Sequence, residues 1–309
     1  LATAPNTLLA AQLDFEAAVS DVLSWRGINY PLPVEGVTAV TLGINVAGEV
    51  AVDIESDLKG VSVDLPLPWG KSAEGSAPLK VSWRDREWAA WEMFWFGRAS
   101  AITDSPEAGS ISAIVDVTPR TRPLQWPLLA PDPGLRVTGF LPSLDLSDLQ
   151  DALAPLSAEA APSGPTVRVD ALKIGRLLWR GEELGALSLN ANLEGETLSA
   201  DFELPWLRGQ LQQVTSAPVS DSAAALQASL ERELRIEYLD LQGLPQVSEQ
   251  WAERAALPDP QGALGAWMRQ LHLSVEGIHR ADTELGDLDL IIDYVEDQCW
   301  QFREVTGNF

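Results

Sequence analysis

Two stretches of the chain alternate apolar and polar residues without a break. Leu187, Leu189, Ala191 and Leu193 are separated by Ser188, Asn190 and Asn192, and Leu198, Ala200, Phe202 and Leu204 by Ser199, Asp201 and Glu203. A period of two sends one set to each face of a sheet. Glu194-Gly195-Glu196-Thr197 between them is a short polar turn containing glycine, so the pair predicts a hairpin with one apolar and one hydrated face.

The pattern recurs. Leu273, Val275, Ile278, Leu285, Gly286, Leu288, Leu290, Ile292 and Tyr294 stand 101 residues after Leu172, Ile174, Leu177, Leu184, Gly185, Leu187, Leu189, Ala191 and Leu193. The second copy has its own turn at Glu296-Asp297-Gln298 and runs on into Trp300, Gln301 and Phe302. A repeated β-unit predicts an extended, additive sheet.

Upstream, residues 6–26 predict a helix, capped at Asn6 or Thr7 and stopped by Gly27. From Val37 to Leu65 the alternation of Leu42, Ile44 and Val46, then of Val50, Val52 and Ile54, then of Val61, Val63 and Leu65 predicts a meander. A second β block covers Leu79 to Val117 and holds Trp83, Trp88, Trp91 and Trp95. Leu135 to Leu146 reads as a strand and turn, and Ser147-Asp148-Leu149-Gln150 fits a capping box for a short helix. Residues 157–165 read as a linker, Leu234, Ile236 and Tyr238 as a strand, and residues 246–256 as a helix.

The predicted fold is therefore all-β with minor α: an extended antiparallel repeat sheet with a few short helices. Residues 1–158 form one segment, with an amino-terminal helix and a closing helix near 147–156. Residues 159–309 hold two repeated β-units, 166–214 and 268–309, joined by a loop, helix and strand.

Charge narrows the partners. The net charge is -24, with lysine only at 59, 71, 80 and 173. That sign opposes a nucleic-acid backbone and adsorption to anionic head groups by charge alone. It favours solubility, and a salt-adapted host produces the same sign. The single cysteine, Cys299, excludes an internal disulfide. No apolar run reaches the ~18 residues of a membrane span. Leu1 is not a natural start and Phe309 stops beside a strand pattern, so the sequence reads as a piece of something longer.

Four phrases resemble the YhdP branch of the AsmA-like envelope proteins. They are Ser56-Asp57-Leu58-Lys59-Gly60-Val61 with Asp64 to Lys71; Leu135-Arg136-Val137-Thr138-Gly139 continuing to Leu144-Asp145-Leu146; Leu177-Leu178-Trp179 with Leu184-Gly185 and Leu204 to Leu211; and Ile236 to Leu241. They follow the family's order over residues 40–300. The second unit departs from it, with Arg280 where the first has Trp179. The resemblance implies a periplasmic segment of an inner-membrane-anchored protein, the anchor lying outside this sequence. It implies that the antiparallel repeat sheet is open and strongly curved, an apolar β-groove that guides phospholipid acyl chains toward the outer membrane, with no cofactor, no metal and no catalysis. Contacts with inner- and outer-membrane components would come from other parts of such a protein. The groove candidates are Leu187, Leu189, Leu193, Leu198, Phe202, Leu288, Leu290 and Ile292, and Asp201, Glu203, Asp287 and Asp289 are expected outside.

Other readings fit the same residues. One-sided alternation is also the mark of a closed β-sandwich core, which would make this a structural or partner-binding module. Tryptophans with abundant carboxylates suit a carbohydrate-binding domain or glycosidase. Gly70-Lys71-Ser72 matches only the end of a phosphate-binding loop, whose first glycine position is taken by Leu65. His272, His279 and Cys299 lack metal-ligand spacing.

Overall fold

The computed structural model describes residues 9–21, 33–47, 49–65, 69–85, 89–95, 99–104, 112–122, 134–148, 166–195, 197–216, 229–244, 270–295 and 299–308. Strands take 75% of it and helix 3%, so the fold is all-β. The chain forms two compact units, Leu1–Gly181 and Glu182–Phe309. The first repeated unit thus contributes its first strand to one unit and the rest to the other. The linker at 157–165 and the helix at 246–256 lie outside the described residues.

The first unit contains β1 (Leu9–Ala18), β2 (Val34–Val46), β3 (Val50–Ser56), β4 (Val61–Val63), β5 (Leu79–Asp85), β6 (Ala89–Trp95), β7 (Ala99–Asp104), β8 (Ser112–Asp116), β9 (Gly134–Leu141), β10 (Leu144–Asp145) and β11 (Val167–Trp179). Antiparallel pairing runs from β1 through β2, β3, β5, β6 and β7 to β8. Beyond β8 the pairing turns parallel, β8 to β9 and β9 to β11, with β10 also parallel to β11. β4 returns to the first residues of β2.

The second unit contains β12 (Glu182–Glu194), β13 (Thr197–Leu204), β14 (Leu207–Ser216), β15 (Ser229–Asp240), β16 (Gln270–Arg280), β17 (Thr283–Val295) and β18 (Cys299–Asn308). Each strand pairs with the next, antiparallel throughout except for the parallel pair β15–β16. Among the described residues neither ladder returns to its own first strand, so the sheet is open. It is mixed, not purely antiparallel, because four pairings are parallel.

Of the amino-terminal helix predicted over 6–26, only 19–21 is helical among the described residues. Leu9–Ala18 is a strand that pairs residue for residue with Val37–Val46. Its helix formers hide a second period: Leu9, Ala11, Leu13, Phe15 and Ala17 alternate with Ala10, Gln12, Asp14 and Glu16. Pairing with β2 overrides the weak local propensity. The closing helix near 147–156 is seen only at 146–148, its remainder lying outside the described residues.

The repeat extends further than the sequence pattern. β12 and β17 have the same bounds 101 residues apart, and the turns before them place Arg180 (φ 52) and Ala281 (φ 54) in the left-handed region. Gly185 (φ 111) and Gly286 (φ 147) then hold equivalent positive-φ positions that a side chain would strain. The parallel partners also correspond. Leu141 faces Ile174, Leu144 faces Leu177 and Asp145 faces Leu178; Ile236 faces Val275, Leu239 faces Ile278 and Asp240 faces His279. In both copies the aspartate at the strand end turns the chain. Asp145 Oδ1 accepts the Ser147 N–H at 3.0 Å, and Asp240 Oδ1 accepts the Gln242 N–H at 2.9 Å. Asp116, at the end of β8, accepts the Thr118 N–H at 2.8 Å in the same way. All three aspartates stand where the chain leaves a strand before returning parallel to it.

Candidate functional site

The sequence-predicted groove residues belong to one face of the second unit. Leu189 is opposite Phe202 and Leu193 is opposite Leu198. Leu288, Leu290 and Ile292 face Val275, Leu273 and Leu271 on β16. Cross-strand register joins the two groups in unbroken rows. One runs Leu189, Phe202, Gly209, Ile236, Val275, Leu288; the next runs Ala191, Ala200, Leu211, Leu234, Leu273, Leu290. Residues between the predicted groups, Leu211, Leu234, Ile236, Leu273 and Val275, therefore belong to the same surface. Gly209 does not leave a gap: a Cβ there would meet the tip of the Phe202 ring at 3.1 Å, so the aromatic ring covers the glycine.

Exposure divides this face. Leu187, Leu189, Leu198 and Phe202 are partly exposed and Leu193 is 38% exposed, whereas Leu271 and Val275 are 3% exposed. Leu271, Leu290 and Ile292 form one packed cluster, and Ile236, Val275 and Ile278 form another. A polar pair interrupts the outermost row, in which Gln213 and Arg232 stand between Leu198 and Leu271. Arg232 Nε donates to Gln213 Oε1 at 3.0 Å, and burial draws the guanidinium pKa below the ordinary arginine value.

The first unit carries a longer apolar face. One row crosses nine strands as Leu13, Leu42, Ile54, Val81, Met93, Ala101, Val115, Val137 and Val169. At ~4.8 Å per strand step such a row spans about 38 Å. A neighbouring row runs Ala11, Ile44, Val52, Trp83, Trp91, Thr103, Ala113, Leu135 and Val167. Leu42, Ile54, Val81, Met93, Val115, Val137 and Val169 are all partly exposed, unlike the side chains of a closed core. The alternations of β2 and β3 were legible as strands. Their joining into one surface depends on register.

The reverse face of the second unit is polar, whereas that of the first unit mixes charged residues with Phe94 and Ile114, both buried. Lys80 pairs with Glu55 at 2.6 Å, Arg136 with Asp170 at 3.0 Å and Arg208 with Glu237 at 3.4 Å. Asp201 and Glu203 are exposed there as expected, and Asp287 and Asp289 lie on the same polar side, partly exposed. A depression of about 170 Å³ lies on this face of the second unit, between Asn190, Asp201, Arg208, Gln210 and Glu237. Register places Val52 beside Trp83, and Asp53 and Glu92 beside Ser82 on the opposite face.

The remaining candidates are structural in their contacts. Lys71 Nζ donates to the carbonyls of Val61 at 2.7 Å and Ser72 at 2.9 Å. Desolvation lowers its pKa, opposed by the charge of Asp57. The surrounding phrase makes a corner in which Leu58, Val61 and Val63 pack with Val34, Leu65, Leu79 and Trp95. His272 Nε2 lies 3.0 Å from Asp289 Oδ1, and the His279 ring stacks at 4.8 Å on Tyr238. Among the described residues no group of three His, Cys, Asp or Glu side chains converges to hold a metal ion, and no helix is long and apolar enough to cross a membrane.

Asp116 and Asp145 carry the clearest electrostatic signatures. Burial pushes both carboxyl pKa values up, but hydrogen bonds outweigh it and hold them below the usual value. The donors are Thr118 and Arg120 for Asp116, and Ser147 and Gly181 for Asp145. No protein family, no curated protein and no solved structure matches the chain.

Proposed function

We propose that the chain is a periplasmic segment of an AsmA-like, YhdP-type envelope protein whose apolar sheet faces shield phospholipid acyl chains in transit between the inner and outer membranes. It acts without catalysis. The observation that carries this reading is the nine-strand row from Leu13 to Val169, apolar at every position and still partly exposed along most of its length. Exposing an acyl chain of about sixteen methylenes to water costs on the order of 13 kcal/mol at ~0.8 kcal/mol per methylene. A desorbed lipid therefore needs continuous apolar cover. Exposed charges on the reverse faces, such as Glu55, Lys80, Asp201 and Glu203, stay hydrated, and the head group needs no dedicated pocket at an open edge.

A closed structural module is the second reading. It is favoured by the burial of Leu271, Val275, Leu290 and Ile292, which is that of a dry interior. A photoreactive benzoyl-phenylalanine at Leu42 or Leu189, against one at Asp53 or Asp201, separates the two. Crosslinking to phospholipid from the first pair alone supports the conduit. Equal labelling from both faces, or none from either, supports the closed module.

A further inference from the structure

We propose that Arg232, set against Gln213 at the rim of the second unit's apolar face, takes the phosphate of a phospholipid whose tails lie on the apolar rows beside it. This rests on the lipid reading above and deepens it. Of the three rows traced across that face, the outermost holds Arg232, and no other residue in the three is charged. Register gives Arg232 the neighbours Gln213 on β14 and Leu271 on β16. Leu234 follows it two residues along the same face. The row lies one pair in from the β12–β13 turn, where Glu194 stands opposite Thr197. The cation therefore sits at the border of the apolar surface and not in its middle. Gln213 and Arg232 are both partly exposed.

A guanidinium beside leucines has lost part of its water, so an anion that bonds it is held more strongly there than in solvent. Its planar fork matches two oxygens of a phosphate. Nε donates to Gln213 Oε1 at 3.0 Å, which orients the fork. The dimensions agree with this. Rows on one face of a strand are ~6.8 Å apart. One tail spans half of the ~30 Å hydrocarbon core, or about 15 Å. A tail led inward from Arg232 therefore covers the two rows that contain Leu211 and Phe202, both partly exposed. The face over β16 is packed, with Leu271 and Val275 each 3% exposed, so the tails take the β12–β14 side. One contact at the rim sets the direction of the lipid, phosphate outward and tails inward. The net charge of -24 repels a head group that is itself negative overall, so the class that fits is a zwitterionic phospholipid.

The test offers the whole chain vesicles holding equal amounts of phosphatidylethanolamine and of diacylglycerol with the same acyl chains, then extracts and counts the lipid retained. Dividing the ratio of the two lipids on wild type by that on Arg232→Gln cancels their different tendencies to leave the vesicle. The expected quotient is about ten, the lower end for charge-assisted hydrogen bonds, with an unchanged circular dichroism spectrum. Arg232→Lys keeps the charge without the fork and gives a quotient of about three. Arg208→Gln, on the reverse face, leaves the ratio at its wild-type value. Inorganic phosphate at millimolar concentration does not displace the phospholipid, because the tails supply most of the affinity. Wild-type ratios in both Arg232 variants, with both lipids retained, overturn the phosphate contact and leave the lipid reading standing. Displacement by inorganic phosphate also overturns it, assigning the guanidinium to a free anion. A wild-type chain that retains neither lipid overturns both the contact and the lipid reading.

Discussion

Asp145 and Asp240 hold equivalent places in the two repeats but carry different loads, which alanine substitution measures. The Asp145 carboxylate accepts from the Ser147 N–H, the Ser147 hydroxyl and the Gly181 N–H, and the same hydroxyl oxygen accepts the Arg180 N–H. The Asp240 carboxylate accepts the Gln242 N–H. At ~0.5–1.5 kcal/mol net per bond, the three direct bonds to Asp145 sum to about 2–4 kcal/mol. The Gly181 and Arg180 N–H groups are exposed and turn to water when released, so Asp145→Ala is expected to cost about 2 kcal/mol and Asp240→Ala about 0.5–1 kcal/mol. Urea unfolding followed by tryptophan fluorescence reads both. Because the two aspartates share no partner, the double variant should equal the sum of the singles to within ~0.5 kcal/mol. The Asp145 pKa is depressed in the folded chain from the unperturbed 3.8. Its contribution is therefore complete above that value and is lost as pH falls through the lower folded value. Asp145→Asn should flatten the acid limb of the stability curve below about pH 4. Equal costs for the two alanine variants, or an acid limb unchanged in Asp145→Asn, would refute the assignment of the strand-end aspartates.

Gly185→Ala and Gly286→Ala should each destabilise by about 1–3 kcal/mol, since both glycines have positive φ; thermal melts check this. Leu58→Ala opens a cavity in the packed corner and should cost about 2–4 kcal/mol in urea unfolding. Leu290→Ala, in a buried cluster, should cost a similar ~2–4 kcal/mol, whereas Leu193→Ser at an exposed position should stay within ~0.5 kcal/mol.

Strand positions were legible where alternation was clean, as in Leu187–Leu193 and Leu198–Leu204, and the hairpin joining them has Glu194 opposite Thr197. The eight groove candidates fall on one face for the same reason. Residues between them were missed because Gly209, Gln213 and Arg232 break the apolar period on β14 and β15, and a register shift separates Val275 from Ile278. Leu9–Ala18 misled because alanine, leucine, glutamine and glutamate favour a helix locally, while the strand is decided by β2, a partner distant in sequence. Parallel pairing is not written in any local pattern. Its one trace was the Leu-Asp-Leu phrase at 144–146 and 239–241, noticed as a resemblance and explained by a carboxylate that turns the chain at a strand end.

The central claim is that the apolar faces hold lipid. The direct measurement is native mass spectrometry, with organic extraction, of the whole chain purified from a bacterial host, alongside a variant carrying Leu42→Asp and Leu189→Asp at partly exposed positions. The account predicts co-purified phospholipid on the wild-type chain and its loss from a variant whose circular dichroism spectrum is unchanged. A folded wild-type chain that carries no lipid and takes none from phospholipid vesicles would contradict it and leave the closed structural module.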